Sequence, residues 1–299
     1  MPADYVRALS ASEAAAIAGI DVAAPAWHFV GGGWVEPRGL ARAYAERAGE
    51  HLAVHCEREV AAIRRAAGRW QLLDATGGVL ATADIVVLAN AGAALHLLGG
   101  NLALHSSRGQ TSGVDSARWP TAAALRLPLA GSGYLLPSLA GTTWFGASSH
   151  EGDADPALRS DDHRANAERL VGLVAEPPTL AALGELRGRV AWRWASPDRL
   201  PLIGRVPLAA IGAGLGLEID AEASRPEQPR FAPRAPGLFV FAGLGSRGIA
   251  GSALGAQVLA ASITGAPLPL EADLLDAVDP ARFASRAFRR AGLLPGAAG

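Results

Sequence analysis

The sequence contains no lysine, and all 27 basic residues among its 299 are arginine. Mechanisms that need a lysine base or a lysine Schiff base are therefore excluded. The one cysteine, Cys56, excludes a disulfide framework and a zinc–thiolate site within a single chain, and a lone cysteine is more often a small core residue than a nucleophile. The seven histidines show no ligand spacing and no G-x-S-x-G motif occurs, so we predict no metal site and no hydrolase chemistry.

Other features that the sequence lacks bear on the location of the protein in the cell. Residues 1–7 lack the basic, apolar and small-residue order of a signal peptide. No uncharged apolar run reaches the roughly 20 residues of a membrane span. The net charge of -1 gives no global sign of nucleic-acid binding, and the hydrophobic half of the chain can bury a sizeable core. We expect a soluble, cytoplasmic protein with one large domain or two interleaved ones.

Two kinds of strand pattern occur. The predicted strand over residues 85–90 is apolar up to Ala89 and ends in Asn90, as is typical of a parallel strand covered on both faces. Residues 238–242 form a similar strand that leads into a helix. Residues 52–55 predict a further strand before a meander over 59–82, and residues 108–194 are typical of antiparallel sheets. The pattern predicts a mixed α/β (α+β) fold, in which a parallel nucleotide-binding sheet is interleaved with an antiparallel substrate-side sheet.

Helix signals mark three further segments. Ser10 and Glu13 fit a capping box before an alanine-rich helix that stops at Gly19. Pro37 suits the first turn of a helix that should run to about residue 48. Residues 161–174 are also predicted to be helical.

Residues 243–248 read Gly-Leu-Gly-Ser-Arg-Gly and match the G-x-G-x-x-G pattern of dinucleotide-binding folds. The context does not fit that use, because the following helix runs into Pro267 and Pro269, where a second central strand would be needed. Glycines still let the backbone approach a ligand, and a helix N-terminus offers free N–H groups, so we expect an electron-rich group there. The alternative is a tight strand-to-helix turn with no ligand.

Seven blocks of the sequence together carry a family resemblance. They are residues 32–37, 86–91, 108–110, 131–137, 198–204, 243–248 and 279–283. The C-terminal stretch resembles the flavin-contacting motif of the FAD-dependent oxidoreductases that include glycine, sarcosine and D-amino-acid oxidases. In their order, the blocks are similar to the oxidoreductase half of the bifunctional tRNA 5-methylaminomethyl-2-thiouridine biosynthesis proteins, over about residues 5–290.

The resemblance implies a D-amino-acid-oxidase-like fold with FAD as the cofactor. It assigns residues 1–36 and 100–205 to an antiparallel substrate-side domain, and residues 37–99 and 206–299 to an FAD-binding domain. The implied reaction removes the carboxymethyl group from carboxymethylaminomethyl-uridine at the tRNA wobble position. Flavin takes a hydride from the carbon next to the secondary amine, water hydrolyses the imine to release glyoxylate, and oxygen reoxidises the flavin. A methyltransferase half, if fused upstream, then methylates the amine.

The resemblance also implies roles for single residues. The cofactor contacts are Gly243, Gly245, Ser246, Arg247 and Gly248 at the flavin, Val60 at the adenine, and Ala89, Asn90 and Ala91 under the pyrophosphate. Three residues are implied in catalysis. Arg247 stabilises the reduced ring or holds the substrate carboxylate, Arg108 lies on the substrate-side strand, and Tyr134 closes the pocket. The alternatives are a surface arginine at a helix start for Arg247, a structural ion pair for Arg108 and a core position for Tyr134.

Four arginines share one face of a predicted C-terminal helix, namely Arg282, Arg286, Arg289 and Arg290. This basic face suits tRNA phosphates, and the alternative is a solvated face favoured by the helix dipole. Arg193 and Arg199 flank residues 196–198, and the resemblance implies that this segment leads to the flavin face. The alternative, which we favour for Asp198, is an ion pair with a nearby arginine.

One departure from the family bears on cofactor binding. The family's oxidoreductase half begins with a strand, a G-x-G-x-x-G turn and a helix that hold the FAD pyrophosphate, and no stretch of these 299 residues supplies that unit. We therefore expect FAD binding by this chain to be weak or absent. Two alternatives to the tRNA reaction stay open: a general oxidase of free amino acids such as glycine or sarcosine, and a non-catalytic fragment that cannot hold FAD.

Overall fold

The computed structural model describes residues 2–217 and 228–290. In these residues the helices are α1 (Ala11–Ala18), α2 (Pro37–Ala48), α3 (Ala93–Leu98), α4 (Pro120–Ala123), α5 (Ser160–Glu168), α6 (Leu180–Leu183), α7 (Gly248–Thr264), α8 (Ala272–Val278) and α9 (Arg282–Arg290). The strands are β1 (Val6–Leu9), β2 (Ala26–Phe29), β3 (Ala62–Ala66), β4 (Arg69–Leu73), β5 (Val79–Ala83), β6 (Val86–Leu88), β7 (His105–Asp115), β8 (Leu129–Ala130), β9 (Tyr134–Leu135), β10 (Thr142–Gly146), β11 (His150–Glu151), β12 (Arg187–Ala195), β13 (Leu202–Pro207) and β14 (Arg234–Ala242). None of these helices is long and apolar enough to cross a bilayer.

The chain divides into two compact units, each built from two segments. Unit 1 comprises Met1–Leu52 and Ser107–Trp192, and unit 2 comprises Ala53–Ser106 and Arg193–Gly299. These boundaries differ from the predicted domains, because residues 37–52 fall in unit 1, whereas residues 100–106 and 193–205 fall in unit 2. The mixed α/β class is confirmed, since parallel and antiparallel pairings both occur.

Unit 1 is organised around an antiparallel sheet with the strand order β11-β7-β10-β9-β8, and β12 also pairs with β7. Its apolar core includes the fully buried Leu135, Phe145 and Leu170. Trp119 meets Phe145 edge to face, with ring centroids 6.4 Å apart. The predicted antiparallel sheet is therefore confirmed. β1 and β2, which lie on either side of α1 in the sequence, pair antiparallel in a separate two-stranded sheet.

The helices of unit 1 begin where the sequence predicts. The Ser10 hydroxyl accepts from the Glu13 amide at 3.3 Å, and the Glu13 carboxylate accepts from the Ser10 amide at 2.8 Å, which closes the predicted capping box. Pro37 opens α2, with Glu36 as its N-cap, and no residue of α2 is buried. The third predicted helix is shorter than expected, because α5 ends at Glu168 and a 3₁₀ turn follows.

Unit 2 contains a three-stranded sheet in which β14 lies between β13 and β6. β14 runs antiparallel to β13 and parallel to β6, and Val240 lies opposite Leu88. Val86 and Leu88 are buried in the core of the unit, whereas Val87 is 38% exposed. The prediction that this strand is covered on both faces is wrong, because in the described residues only one face of β6 is packed.

A second sheet of unit 2 is the predicted meander of β3, β4 and β5. Trp70 is fully buried there, and its indole Nε1 donates to the carbonyl of Pro236 at 2.9 Å. The strand predicted over residues 52–55 is wrong: no described residue pairs with it, and Leu52 and Val54 are exposed. Cys56 is also exposed, which corrects its predicted place in the core.

Candidate functional site

The turn over residues 243–248 is built on a backbone that requires glycine. β14 ends at Ala242, and Gly243 and Gly245 follow with φ angles of 72° and 54°. Residues with a Cβ are disfavoured in this left-handed region. A Cβ on Gly243 would also stand 2.9 Å from Cδ2 of Leu104. The chain therefore passes from β14 through Gly243 and a 3₁₀ turn over Gly245–Arg247 into α7.

The N-terminus of α7 opens directly from this turn. α7 has 17 residues, and no side chain caps its first turn. Its free N–H groups and the positive end of the helix dipole favour an electron-rich group at this end. Ser246 and Arg247 are exposed here, and Nη1 of Arg247 lies 3.5 Å from the carbonyl oxygen of Arg199. The turn thus presents backbone donors and a guanidinium to solvent.

Ala89, Asn90 and Ala91 lie at the same sheet edge as this turn. They follow β6, the parallel neighbour of β14, and the carboxyl ends of parallel strands meet at one edge. Ala91 has a φ of 53°, and next to it Gly92 meets the indole of Trp194, which would stand 2.1 Å from a Cβ at that position. The structure therefore brings the two predicted cofactor segments together. Trp194 is a neighbour that the sequence did not reveal.

Val60 lies elsewhere in unit 2, just before β3. It is partly buried and packs against the apolar core of the unit. Its predicted contact with the adenine stays a prediction. No group of three or more acidic, histidine or cysteine side chains fit to hold a metal ion occurs in the part of the chain that the structure describes.

Arg108 belongs to unit 1, where its guanidinium is fully buried. Nη1 donates to Oδ2 of Asp162 at 2.6 Å, Nε to the carbonyl of Asp155 at 2.7 Å, and Nη2 to the carbonyl of Ala157 and the side chain of Gln110. These contacts agree with a structural ion pair, the alternative that the sequence left open. The catalytic role of Arg108 stays a prediction.

Asp162 joins Arg108 to the surface of unit 1. Its side chain is 4% exposed, and its Oδ1 lies 2.6 Å from Nε2 of His150, which is 44% exposed. Burial alone would raise the pKa of Asp162, but hydrogen bonds from His150, Arg108 and Ser148 outweigh it and lower the pKa below its ordinary value. The carboxylate therefore stays charged inside the unit.

Tyr134, the third predicted catalytic residue, lies on the short strand β9. It pairs with Gly146 of β10 and with Ala130 of β8, and its side chain is half-buried. Its predicted place in a substrate pocket stays a prediction.

A buried charge cluster in unit 2 joins α9 to the turn before β13. Arg282 is 1% exposed, and its Nε and Nη2 donate to Asp198 at 2.9 and 2.8 Å. Nη1 of Arg286 also reaches Asp198, at 2.6 Å. Burial raises the pKa of Asp198, yet these hydrogen bonds outweigh it and hold the pKa well below its ordinary range. The expected ion pair of Asp198 is therefore present, and its partners are Arg282 and Arg286.

The same cluster corrects the predicted basic face of α9. Arg282 is not available to phosphates, because it is buried and its guanidinium is bound within unit 2. Arg286 shares the Asp198 carboxylate, while Arg289 and Arg290 are exposed. Helical spacing placed the four side chains on one side of the helix, but it could not show that part of this side is packed.

Comparisons with known proteins identify the family of this chain. The sequence model of the FAD dependent oxidoreductase family matches residues 2–262. The protein "tRNA 5-methylaminomethyl-2-thiouridine biosynthesis bifunctional protein MnmC" of Methylibium petroleiphilum is 43% identical over 290 residues, which cover 94% of this chain and 43% of that protein. Its namesake from Burkholderia lata is 42% identical over 296 residues, which cover 96% of this chain and 44% of the relative.

Solved structures show the same fold. Glycine oxidase from Geobacillus kaustophilus matches with a TM-score of 0.71 and 24% identity, over 93% of this chain and 67% of that chain. L-proline dehydrogenase from P. horikoshii matches with a TM-score of 0.66 and 18% identity, over 93% of this chain and 69% of that chain. The chain spans less than half the length of the curated relatives it matches. By the family match over most of its length, the chain belongs to the FAD-dependent oxidoreductases.

Proposed function

We propose that this chain binds the flavin end of FAD at the turn over residues 243–248 and takes part in oxidising the carbon next to a secondary amine. The observation that carries the proposal is the uncapped N-terminus of α7, reached through Gly243 and Gly245 and flanked by Arg247. Backbone donors and a guanidinium suit the electron-rich edge of a flavin. When bound, the flavin would accept the hydride that leaves the substrate carbon.

Arg247 is the side chain that we propose to act on the substrate or the reduced ring. It is exposed at the start of α7, where a cation is unfavourable unless an anion is near. A substrate carboxylate bound there in a bidentate way would remove that conflict. We keep Tyr134 as a candidate for closing the substrate pocket, while the contacts of Arg108 favour a structural role.

The substrate that we propose is the carboxymethylaminomethyl group of a tRNA wobble uridine, with glyoxylate as the released product. The support is the name shared by relatives that are 42–43% identical over nearly the whole of this chain. Arg289 and Arg290, exposed on α9, are the arginines that we propose for contact with phosphates. From the same shared name, which calls these relatives bifunctional, we propose that a methyltransferase acts together with this chain.

We propose that the 299 residues bind FAD weakly. The residues at the flavin end fit the cofactor, but the G-x-G-x-x-G unit of dinucleotide-binding folds, with its acidic residue, is not found among them. Phosphate charges would then be neutralised by few groups of this chain.

The test measures FAD binding first and product second. FAD is titrated into the chain by flavin fluorescence, and glyoxylate is then measured at the highest occupancy with modified tRNA, glycine or sarcosine. Arg247→Met should lower the yield from modified tRNA by about 10²-fold, as removal of one transition-state donor does elsewhere. Arg164→Met, an exposed position of α5, is the matched control and should leave it unchanged.

Each outcome decides between the candidates. Glyoxylate from modified tRNA alone supports the proposal, whereas turnover of free glycine or sarcosine supports the general amino-acid oxidase. No glyoxylate from any substrate and no formaldehyde from sarcosine, or no FAD binding at all, overturns the proposed activity and leaves the non-catalytic alternative. Tight stoichiometric flavin would contradict the weak binding.

A further inference from the structure

The cluster around Arg282 binds the turn over residues 196–201 far more firmly than a single ion pair would. Besides Asp198, the guanidinium donates to the hydroxyl of Ser196 at 3.2 Å and to the carbonyls of Leu200 and Pro201 at 2.7 and 3.1 Å. Ser196 and the amide of Leu200 in turn donate to Oδ1 of Asp198. One side chain of α9 thus fixes the shape of a turn that lies more than 80 residues earlier in the chain.

α9 itself is anchored by an aromatic ring. The guanidinium carbons of Arg282 and Arg286 lie 4.4 and 5.3 Å from the ring centroid of Phe283. Phe283 packs against the apolar core of unit 2. The guanidinium of Arg282 is therefore held on a packed part of the unit, so that its N–H groups point in fixed directions.

The turn that Arg282 holds lies against the candidate flavin turn. Ala195 forms an antiparallel bridge with Leu244, and Arg247 reaches the carbonyl of Arg199. A Cβ placed on Gly243 would stand 3.7 Å from the amide nitrogen of Ser196. A shift of the turn over residues 196–201 would consequently be passed on to the backbone that begins α7.

The chemistry of the cluster indicates that it fixes the positions of the groups around it more than it stabilises the fold. Burying an ion pair has a desolvation cost that often cancels the attraction between the charges, so an apolar replacement of the pair can be equally stable. What an apolar group cannot do is hold two carbonyls, a hydroxyl and a carboxylate in fixed directions, and the flexible ammonium of lysine does so poorly.

We propose that Arg282 is a positioning residue for the flavin-facing turn. It fixes residues 196–201 through Asp198, and these residues fix the backbone over 243–248 and the guanidinium of Arg247. The consequence for the cofactor rests on the proposed function, since it assumes that this turn meets the flavin.

The test is hydrogen exchange by mass spectrometry on the Arg282→Lys variant of the full chain, together with FAD titration. Exchange in peptides covering residues 243–248 should be at least about tenfold faster, which corresponds to losing one hydrogen bond to a charged group. Exchange in the meander of β3 to β5 should not change. Arg69→Lys, which keeps an exposed ion pair with Asp84, is the matched control and should leave both the exchange over residues 243–248 and FAD binding unchanged.

If Arg282 only stabilised the fold, its replacement would affect FAD binding no more than another destabilising substitution in unit 2 does. Trp70→Phe removes a buried hydrogen bond elsewhere in unit 2 and serves as a variant with lowered stability. If Arg282→Lys weakens FAD binding and Trp70→Phe does not, positioning is supported. FAD binding that is weakened equally by both variants, or equally faster exchange throughout unit 2, overturns it, as does unchanged exchange over residues 243–248.

A second variant and a further combination of results complete the test. If Arg282→Lys does not fold, Asp198→Asn removes the charge at nearly the same volume and is judged by the same peptides. If exchange over residues 243–248 becomes faster while FAD binding is unaffected, the positioning of the turn stands and the proposed function fails.

Discussion

Replacing Arg108 by methionine removes the cationic half of a buried ion pair while filling much of the same volume. Nη1 of Arg108 and Oδ2 of Asp162 are 2.6 Å apart, and both side chains are almost entirely buried. The substitution leaves a buried carboxylate whose main remaining partner is the partly exposed His150, and it leaves the carbonyls of Asp155 and Ala157 without this donor. We expect the free energy of unfolding to fall by about 3–5 kcal/mol, as for other broken buried pairs.

A double-mutant cycle separates the interaction energy of the Arg108–Asp162 pair from the effects of each substitution alone. Asp162→Leu alone leaves the guanidinium of Arg108 uncompensated, and we expect a loss of similar size. The double variant carries no unpaired buried charge, so its stability should recover in part. Recovery is incomplete because the freed carbonyls still lack a donor, at about 1–3 kcal/mol for each one that stays unsatisfied.

Urea unfolding followed by tryptophan fluorescence measures these differences. Arg159→Met is the matched control, because Arg159 also pairs with two aspartates but is 35% exposed, and exposed pairs contribute only about 0–1 kcal/mol. The reasoning is refuted if Arg108→Met costs less than about 1 kcal/mol. Loss of amine oxidation at unchanged stability would instead assign Arg108 to catalysis.

The remaining predictions concern unit 2. Hydrogen bonds lower the pKa of Asp198 in the folded protein, so stability should hold above the unfolded value near 3.9 and fall as the pH drops below it, when only the unfolded chain binds the proton. Asp198→Asn should make that fall shallower in urea unfolding at pH 5 and pH 3, and an equally steep fall would contradict the assignment. Gly92→Ala should cost about 1–3 kcal/mol by overpacking against Trp194, whereas Gly33→Ala, where a Cβ meets nothing within 4 Å, should be near neutral; equal melting temperatures would count against the contact.

Local signals predicted the elements that depend on neighbouring residues. The capping box at Ser10 and the glycines at 243 and 245 act within a few residues of where they stand, so their structures follow from the sequence. The strand over residues 52–55 failed for the opposite reason. Its composition favours an extended chain, but a strand also needs a partner, and pairing is set by distant parts of the fold.

The charged residues of the site show the same limit. Helical spacing placed Arg282 on one face with Arg289, but it could not show that Asp198 packs against that face from 84 residues away. The contact of Gly92 with Trp194 is equally distant in sequence. For Arg108 the sequence offered two roles, and only the partners of its guanidinium distinguish a packed ion pair from an open site.

Because α2 is largely exposed, its helical structure depends little on the packing of the core of unit 1. A helix of 12 residues is at the margin of stability in water, and within the described residues Leu40, Ala45 and Ala48 are only partly buried while the rest of its side chains are exposed. Its helical state is then set mainly by local terms, which are the cap at Glu36, the proline at its start and the intrinsic preferences of its alanines and arginines. Substitutions in α2 thus change how often this segment is helical, and leave the cooperative unfolding of the rest of unit 1 almost untouched.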